Sequence, residues 1–442
     1  MSEREGSLEA PTRHRIDWQN PDFFDQAKLE AELERTFNIC HGCRRCVSLC
    51  NAFPRLFDLI DESVTGELDS VDKGRYPDVV DQCYLCDMCF MTKCPYVPPH
   101  PWNLDFPHLM LRAKANKFSR QGAKLRDRLL SSTDAVGKLA SIPVVVKFVN
   151  GINKLPAARA AMEGILGIHK DRELPEYASA RFRKTARPRA DFAVKAGDNT
   201  PGKVAIFSTC YVNYNEPGIG HDLLAILAHN EIPAVLVGEE ACCGMPKFEL
   251  GDLDSVARLK DRNIPILVQL AREGCAIVTP VPSCTLMFKN ELPLMFADDP
   301  DVQAVARAMF DPFQYLLLRH RDKLLKTDFK AELGRVSYHI PCHLRVQNIG
   351  QKTREILELV PGTVVNTVER CSGHDGTWGV KREFFDTSIK IGRPVFKQMA
   401  QCEPDYISSD CAIAARHIMQ GIGSNAAKKL HPLTLLRIAY GL

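Results

Sequence analysis

The sequence predicts an α/β fold with an all-α part, in which a helical N-terminal region precedes two repeated α/β domains. After residue 203, short apolar runs alternate with helical stretches, the pattern of a parallel sheet whose strands are joined by helices. This pattern occurs twice, and three cysteines recur in it at offsets of 132, 129 and 127 residues. Before residue 203, two dense cysteine runs stand among short helical stretches.

Composition places the chain among soluble globular proteins of several domains. It has 442 residues, of which 45% are apolar and 25% charged. Its 17 cysteines are too few for a disulfide scaffold in so long a chain, and their clustering indicates metal binding in a reducing compartment. The start, MSEREGSLEAPTRHRIDW, has no apolar core typical of a secretory signal. We therefore expect a cytoplasmic protein. The alternative is a cytoplasmic protein that is attached peripherally to the inner face of the cytoplasmic membrane.

The net charge of +3 hides an asymmetry. Residues 111–190 contain 18 Lys and Arg against 6 Asp and Glu, so this segment carries +12 and the rest of the chain −9. Two interpretations fit the positive charge of this segment: it is a solvated helical linker, or it is a surface that binds an anionic partner or a membrane.

The two N-terminal cysteine runs have the spacing of iron-sulfur motifs. Residues 40–50 read CHGCRRCVSLC and residues 83–96 read CYLCDMCFMTKCPY, each with three thiols at gaps of two and a fourth further on. This resembles the bacterial ferredoxin run. Two structural zinc knuckles are the alternative, but zinc would leave the third thiol of each run unused.

The resemblance implies how the thiols are shared. In two-cluster ferredoxins the fourth cysteine of each run ligates the other cluster. By that rule one [4Fe-4S] cluster takes Cys40, Cys43, Cys46 and Cys94, and the other takes Cys83, Cys86, Cys89 and Cys50. The 32 residues between Cys50 and Cys83 suit a helical ferredoxin rather than the compact bacterial form.

We divide the chain into five parts. They are a mobile N-terminal arm (1–35), a helical ferredoxin-type domain with two [4Fe-4S] clusters (36–115), a basic helical linker (116–202), and the first (203–330) and second (331–442) cysteine-rich repeats. The predicted strands are KVAIFS, PAVLVG and CAIVTP in the first repeat and RVSYHI, GTVVNTV and PDYISS in the second. Because the carboxyl ends of parallel strands meet at one edge, the thiols that follow them should converge.

The first repeat resembles a known family. ACCGMP at 241–246 stands between STC at 208–210 and PSCTLMF at 282–288. These residues resemble the cysteine-rich CCG domain, which occurs in heterodisulfide reductases and in the iron-sulfur component of anaerobic glycerol-3-phosphate dehydrogenase. The order of two ferredoxin-type runs and two cysteine-rich repeats is similar to the latter, over roughly residues 36–442.

The resemblance implies metal sites in both repeats. The first repeat retains four thiols, Cys210, Cys242, Cys243 and Cys284, although Val281 replaces one cysteine of the family pattern. The second retains Cys342, Cys371 and Cys411, with Ser372 and Ala414 in place of two others. A further cluster is expected in the first repeat. In the second, either a cluster leaves one iron to a non-protein ligand, His343 or His374, or the repeat is vestigial and held by packing.

Other candidate residues have plainer interpretations. Cys275 and Cys402 are expected to be structural cysteines, and His339 and His343, which flank Cys342, are core histidines or members of a proton relay or ligand set. GIGSNA at 421–426 follows a helix rather than a strand, so we expect no dinucleotide site there.

The function expected is that of an iron-sulfur electron-transfer subunit, not catalytic on its own, with no catalytic residue assigned. Electrons would pass from a flavoprotein dehydrogenase or other redox partner through two [4Fe-4S] clusters to the cysteine-rich site and on to an acceptor such as a quinone. The alternatives are an iron-sulfur sensor or interaction protein and a component of a heterodisulfide-type thiol/disulfide reductase. No nucleic-acid partner is expected.

Overall fold

The computed structural model describes residues 10–92, 94–423 and 427–442. The N-terminal half is helical, as predicted. Its α-helices are α1 (Gln26–Cys43), α2 (Ala52–Asp61), α3 (Tyr76–Val80), α4 (Met88–Thr92), α5 (Phe106–Gln121), α6 (Leu125–Ser131), α7 (Thr133–Ala140), α8 (Pro143–Ile152), α9 (Pro156–Leu166) and α10 (Phe182–Thr185).

The first repeat is a four-stranded parallel sheet of strand order β2-β1-β3-β4. Its strands are β1 (Lys203–Ile206), β2 (Ala234–Leu236), β3 (Cys275–Val278) and β4 (Met309–Phe310). Its helices are α11 (Cys210–Tyr214), α12 (Pro217–His229), α13 (Met245–Leu250), α14 (Leu253–Arg272), α15 (Pro282–Leu286), α16 (Leu292–Met295), α17 (Pro300–Ala308) and α18 (Pro312–Arg321), with a π-helix at Met287–Glu291.

The second repeat has the same topology, with strand order β6-β5-β7-β8 and all pairs parallel. Its strands are β5 (Arg335–His339), β6 (Val364–Val368), β7 (Tyr406–Ser409) and β8 (Lys428–Lys429). Its helices are α19 (Cys342–Arg345), α20 (Lys352–Leu357), α21 (Phe385–Ala400), α22 (Ala412–Ile422) and α23 (Pro432–Tyr440). The predicted α/β fold with an all-α part and two repeats is confirmed.

The hydrophobic cores do not follow the predicted domain boundaries. One core joins the helical half to the first repeat, from Phe37 and Phe53 to Phe207 and Phe288. A second core joins the sheets of the two repeats, for example through Ile206 and Tyr338. The boundary predicted at 115/116 falls within α5, and the predicted linker contains buried Phe182.

The N-terminal arm, expected to be mobile, packs on the rest of the protein from Arg13 onward. Ile16 and Trp18 are buried, and the Trp18 indole N–H donates to the carbonyl of Met295 at 3.2 Å. The Arg13 guanidinium binds Asp87 and Asp105 of the helical half and reaches Glu291 of the first repeat. The prediction of mobility is wrong here because these partners lie far away in sequence and leave no local pattern.

Candidate metal centres

The first thiol group, called the first-run group, contains Cys40, Cys43, Cys46 and Cys94. Cys40 and Cys43 occupy the last turn of α1, which ends where Arg44 takes a left-handed conformation (φ 51°) and donates its backbone N–H to the Cys40 carbonyl. Burial raises the pKa of Cys40 well above its usual range, and the neighbouring Cys94, Cys46 and Cys43 raise it further. The chain reversal at Arg44 thus brings the thiols of one run beside Cys94 of the other.

The second-run group contains Cys50, Cys83, Cys86 and Cys89. All four thiols line one cavity, which is completed by Leu49, Phe53, Tyr84, Asp87, Phe106 and Pro107. The loop between Cys83 and Cys89 curls around the cavity because Leu85 and Asp87 adopt left-handed φ values of 53° and 60°. Cys50 therefore joins the thiols of the other run, the grouping that the exchanged ligation predicts. Ligation itself stays a prediction.

The first-repeat group contains Cys210, Cys242, Cys243 and Cys284, and its members touch one another. Cys210 begins α11, Cys284 lies in α15, and the Cys242–Cys243 pair follows β2. Hydrogen bonds with Cys210 and Cys243 lower the pKa of Cys242 well below its usual range, although burial opposes them. Cys243 in turn contacts Cys284. The four thiols therefore form one continuous cluster.

Helix α7 lies against the first-repeat group. The Thr133 hydroxyl donates to Cys242 Sγ at 3.3 Å, and the Cys242 backbone N–H donates to Asp134 Oδ2 at 2.5 Å. Gly137 of the same helix lies so near the Tyr214 ring that an added Cβ would come within 2.4 Å. Sequence analysis missed Thr133 and Asp134, which stand in a segment that it interpreted as a linker.

The second-repeat group contains Cys342, Cys371 and Cys411. Burial raises the pKa of Cys342 well above its usual range, and Cys371, Asp375 and Cys411 add to the shift. Cys411 is the N-cap of α22, and Cys342 begins α19. The three thiols converge as predicted from the strand ends that precede them.

The second-repeat group also adjoins the second-run group. Burial raises the pKa of Cys86, and the thiols that contribute next are Cys342 and Cys371. The Tyr84 hydroxyl lies 3.0 Å from Cys371 Sγ, across a sequence separation of 287 residues. The repeat with fewer thiols is therefore the one whose thiols adjoin the second-run group.

Comparisons with known proteins match both repeats. The family model described as "Cysteine-rich domain" (CCG) matches residues 204–289 and 336–414. Lactate utilization protein A of Bacillus cytotoxicus is 30% identical over 184 residues, which cover 40% of this chain and 75% of that protein. The chain belongs to the cysteine-rich CCG domain family.

Two further relatives match more of the chain. One is a subunit of the anaerobic glycerol-3-phosphate dehydrogenase of Escherichia coli K12, 28% identical over 338 residues, 76% of this chain and 82% of that protein. The other is a subunit of the fumarate reductase (CoM/CoB) of Methanothermobacter marburgensis, 27% identical over 299 residues, 66% of this chain and 57% of that protein. The resemblance inferred from the motifs is thus confirmed.

The histidines near the second CCG repeat differ in the partners of their rings. His339 uses both ring nitrogens, one with Ser409 Oγ at 3.1 Å and one with the Arg370 carbonyl at 2.9 Å, as a core histidine does. His374 is buried, and its ring lies 5.5 Å from that of His417. His343 pairs Nδ1 with Ser283 Oγ at 2.8 Å, and a hydrogen bond with the Leu85 backbone opposes the lowering of its pKa by burial. His343 therefore links the second repeat to the first repeat and to the loop of the second-run group.

Charged side chains that sequence analysis missed lie between the thiol groups. Burial raises the pKa of Glu249 well above its usual range, with added contributions from Asp375 and Cys242, which belong to different CCG repeats. Burial raises the pKa of Asp375 to about 6, although Lys114 and Lys381 oppose the shift. Lys114 also donates to the Cys83 carbonyl. No spacing rule would have identified this set, because its members come from three regions of the chain.

The thiol donor sets suit iron-sulfur clusters. Thiolates are the ligands of such clusters, and the second-run thiols surround a shared, mostly apolar cavity. Within the described ranges, no group of three or more His, Cys, Asp and Glu side chains is arranged to hold a metal ion. A four-iron cluster is wider than a single ion, and its thiolates stand further apart. The four groups therefore bring together side chains of the kind that ligate iron-sulfur clusters.

Proposed function

We propose that this CCG protein is an iron-sulfur electron-transfer subunit that receives electrons from a partner dehydrogenase and delivers them to an acceptor. The observation that carries the proposal is the proximity of two thiol groups: Tyr84, in the loop of the second-run group, reaches Cys371 Sγ of the second repeat at 3.0 Å, and Cys342 and Cys371 raise the pKa of Cys86 in the same loop. Relatives that are named as subunits of a dehydrogenase and a reductase support a redox partner. The partner proposed is a flavoprotein dehydrogenase.

The residues assigned to hold cofactors are the thiols. The first-run and second-run groups each hold a [4Fe-4S] cluster, and the first-repeat group holds a further cluster. A bound iron-sulfur cluster accepts and releases one electron at a time. The apolar side chains Leu49, Phe53 and Phe106 exclude water from the second-run cavity. The left-handed turn at Gly244 (φ 101°) positions the adjacent Cys242–Cys243 pair of the first repeat.

The test is the metal content and its spectroscopic state. Protein purified without oxygen should contain iron and acid-labile sulfide, with about eight irons assignable to the N-terminal half. Dithionite-reduced protein should show EPR signals that Cys43→Ala and Cys94→Ala disturb together, and a second signal that Cys86→Ala and Cys50→Ala disturb together. Zinc without acid-labile sulfide would overturn the proposal.

We also propose a cytoplasmic protein that docks on the inner membrane surface through α7–α9. Eight of the fifteen large apolar side chains that are exposed among the described residues lie between residues 125 and 165. Val144, Phe148 and Ile165 are 81%, 68% and 82% exposed, on helices that carry four Lys and Arg against two Asp and Glu over residues 133–166. Apolar side chains on a basic surface suit anionic lipid.

The same surface bears on the acceptor. No single described helix is long and apolar enough to cross a membrane. Helices α7 and α8 reach that length and apolarity only together, and the pair is bent by 104°. Helix α7 contacts Cys242 of the first repeat through Thr133. Docking of α7–α9 would bring the first-repeat group near the lipid, where a quinone is an available acceptor.

Vesicle binding tests the docking surface. Full-length protein should sediment with vesicles that contain phosphatidylglycerol and weakly with vesicles of phosphatidylcholine alone. Phe148→Ser should weaken binding, whereas Val364→Ser, which alters an apolar side chain of 58% exposure on the second repeat, should not. Equal binding by both variants and the parent would refute the surface while leaving the electron-transfer proposal intact.

A further inference from the structure

Tyr84 occupies the border between the second-run group and the second CCG repeat. Its position in the sequence is between Cys83 and Cys86, and its ring helps to line the cavity shared by the second-run thiols. Its hydroxyl reaches out of that loop to Cys371 Sγ at 3.0 Å. One side chain thus touches two thiol groups that belong to different domains.

The Tyr84 ring is held in this position by aromatic packing. It lies 5.1 Å from the Trp378 ring, which stacks on Phe384 at 4.8 Å with an interplanar angle of 13°. The Trp378 indole N–H donates to the Asp81 carbonyl at 3.0 Å and so ties the second repeat to the chain just before Cys83. Tyr84 itself is 4% exposed. The direction of its hydroxyl is therefore set by contacts on both sides of the border.

Cys371 receives a second hydrogen bond from its own turn. The Gly373 backbone N–H lies 3.3 Å from Cys371 Sγ. Gly373 has φ +76°, and a Cβ at this position would come within 2.2 Å of the Ser388 carbonyl oxygen. The turn is thus held tightly against α21. The Gly373 N–H is thus one donor to this sulfur, and the Tyr84 O–H is a second donor when Cys371 is a thiolate, since a thiolate can only accept hydrogen bonds.

We propose that Tyr84 is a positioning residue that donates a hydrogen bond to the Cys371 thiolate and thereby sets the reduction potential of a redox centre in the second repeat. This inference rests on the proposed electron-transfer function. Hydrogen bonds to cysteine sulfur favour the reduced, more negative state of an iron-sulfur centre. The second repeat is accordingly a working site adjacent to the second-run group, and the Tyr84 O–H bond stays intact while its centre gains or loses one electron.

The test compares Tyr84→Phe with Tyr76→Phe in full-length protein prepared without oxygen. Tyr76 is a matched control, because it is buried in the same half and its hydroxyl has no hydrogen-bond partner among the described residues. The signal that Cys371→Ser removes identifies the second-repeat centre in an EPR-monitored potential titration. Tyr84→Phe should keep iron and sulfide content and shift this signal to lower potential, by about threefold to tenfold in the ratio of reduced to oxidised centre at a fixed potential. Tyr76→Phe should leave it unchanged.

A second variant covers the case in which Tyr84→Phe does not fold. Trp378→Phe keeps the Tyr84 hydroxyl but removes the bond to Asp81, so it should shift the same signal in the same direction by less. An unchanged potential in the folded variants overturns the inference. Iron in the N-terminal half with no signal that depends on Cys371 overturns it too but leaves the proposed function standing, whereas absence of iron-sulfur centres throughout the chain overturns both.

Discussion

The two CCG repeats share one sheet topology but differ in their thiols and in the neighbours of those thiols. The first repeat has four thiols in mutual contact, and its neighbour is α7 of the basic segment. The second has three thiols, and its neighbour is the loop of the second-run group. By the number of cysteines, the first repeat is the better candidate for a redox centre. The position of the thiols favours the second repeat, because a side chain of the second-run loop directly contacts Cys371.

Loss of a single thiol should give the largest effect and tests whether the repeats are equally necessary. Cys242→Ser should remove the first-repeat centre, since the Cys242 thiol contacts both Cys210 and Cys243. Sequence reasoning alone ranks Cys371→Ser as milder, but its contact with Tyr84 makes us expect a comparable loss of transfer to a quinone analogue.

The measurement for these two variants is dithionite-driven reduction of the quinone analogue, with iron counted in the parent and in each variant. N-terminal EPR signals should survive in both and serve as the internal control. Full iron and full transfer in Cys242→Ser would show that the first repeat is scaffold.

Ion pairs attach the helical half to both repeats. Arg13 connects Asp87 and Asp105 to Glu291 of the first repeat, and Arg126 pairs with Glu383 of the second. Arg13→Met would leave the buried Asp87 without its ion-pair partner, while His108 would still pair with Asp105 and Glu291. We expect the free energy of unfolding to fall by about 3–5 kcal/mol.

Anaerobic denaturant titration of the holoprotein measures the effect of Arg13→Met. Arg15→Met is the matched control, because the Arg15 side chain is 59% exposed and its partner Asp298 is 93% exposed. A loss below that of the control would mean that the attachment to the first repeat does not depend on the buried ion network.

The glycine that follows each cysteine turn gives a sharper comparison. Gly244 (φ +101°) has room for a Cβ, whose nearest neighbour would be Val256 at 3.6 Å, whereas a Cβ on Gly373 would meet the Ser388 carbonyl oxygen at 2.2 Å. Gly244→Ala should cost about 1–2 kcal/mol for the left-handed backbone alone. Gly373→Ala should cost about 3 kcal/mol or more, since backbone must move as well. Equal midpoints in denaturant for the two variants would contradict the tight turn in the second repeat.

Much of this fold could be predicted from local sequence. The six predicted strands form, because runs such as CAIV and KVAI alternate with helices over lengths that a parallel sheet requires. The edge strands β4 and β8 were missed, since two residues each carry no periodicity. The interpretation of GIGSNA involves residues 424–426, which lie outside the described residues.

The candidate sites also combine features that local sequence predicts with features that only the tertiary structure shows. Cysteine spacing predicted which thiols would converge, because spacing reflects loops and strand ends. It could not predict Tyr84 beside Cys371 or Thr133 beside Cys242, since sequence separations of 287 and 109 residues leave no local trace. The side chains that distinguish the two repeats are therefore those that only the tertiary structure identifies.

The smallest expected effect concerns one carboxylate from each repeat. Burial and the charge of Asp410, in the second repeat, together raise the pKa of Asp311, in the first, to about 7. Asp311 also caps α18 by accepting from the backbone N–H groups of Phe313 and Gln314. Asn at this position keeps an accepting oxygen for the cap but carries no charge, so Asp311→Asn isolates the effect of ionisation.

The pH dependence follows from the raised pKa. Between the usual value of 3.8 and about 7, the folded protein binds the Asp311 proton more tightly than the unfolded chain does, so the contribution of this group to stability falls as pH rises through that window. Asp311→Asn should therefore be more stable than the parent at about pH 8, by on the order of 1 kcal/mol. The advantage should vanish near pH 4. Denaturant midpoints of the two proteins at both pH values measure it, and an advantage independent of pH would show that Asp311 does not titrate within this window in the folded protein.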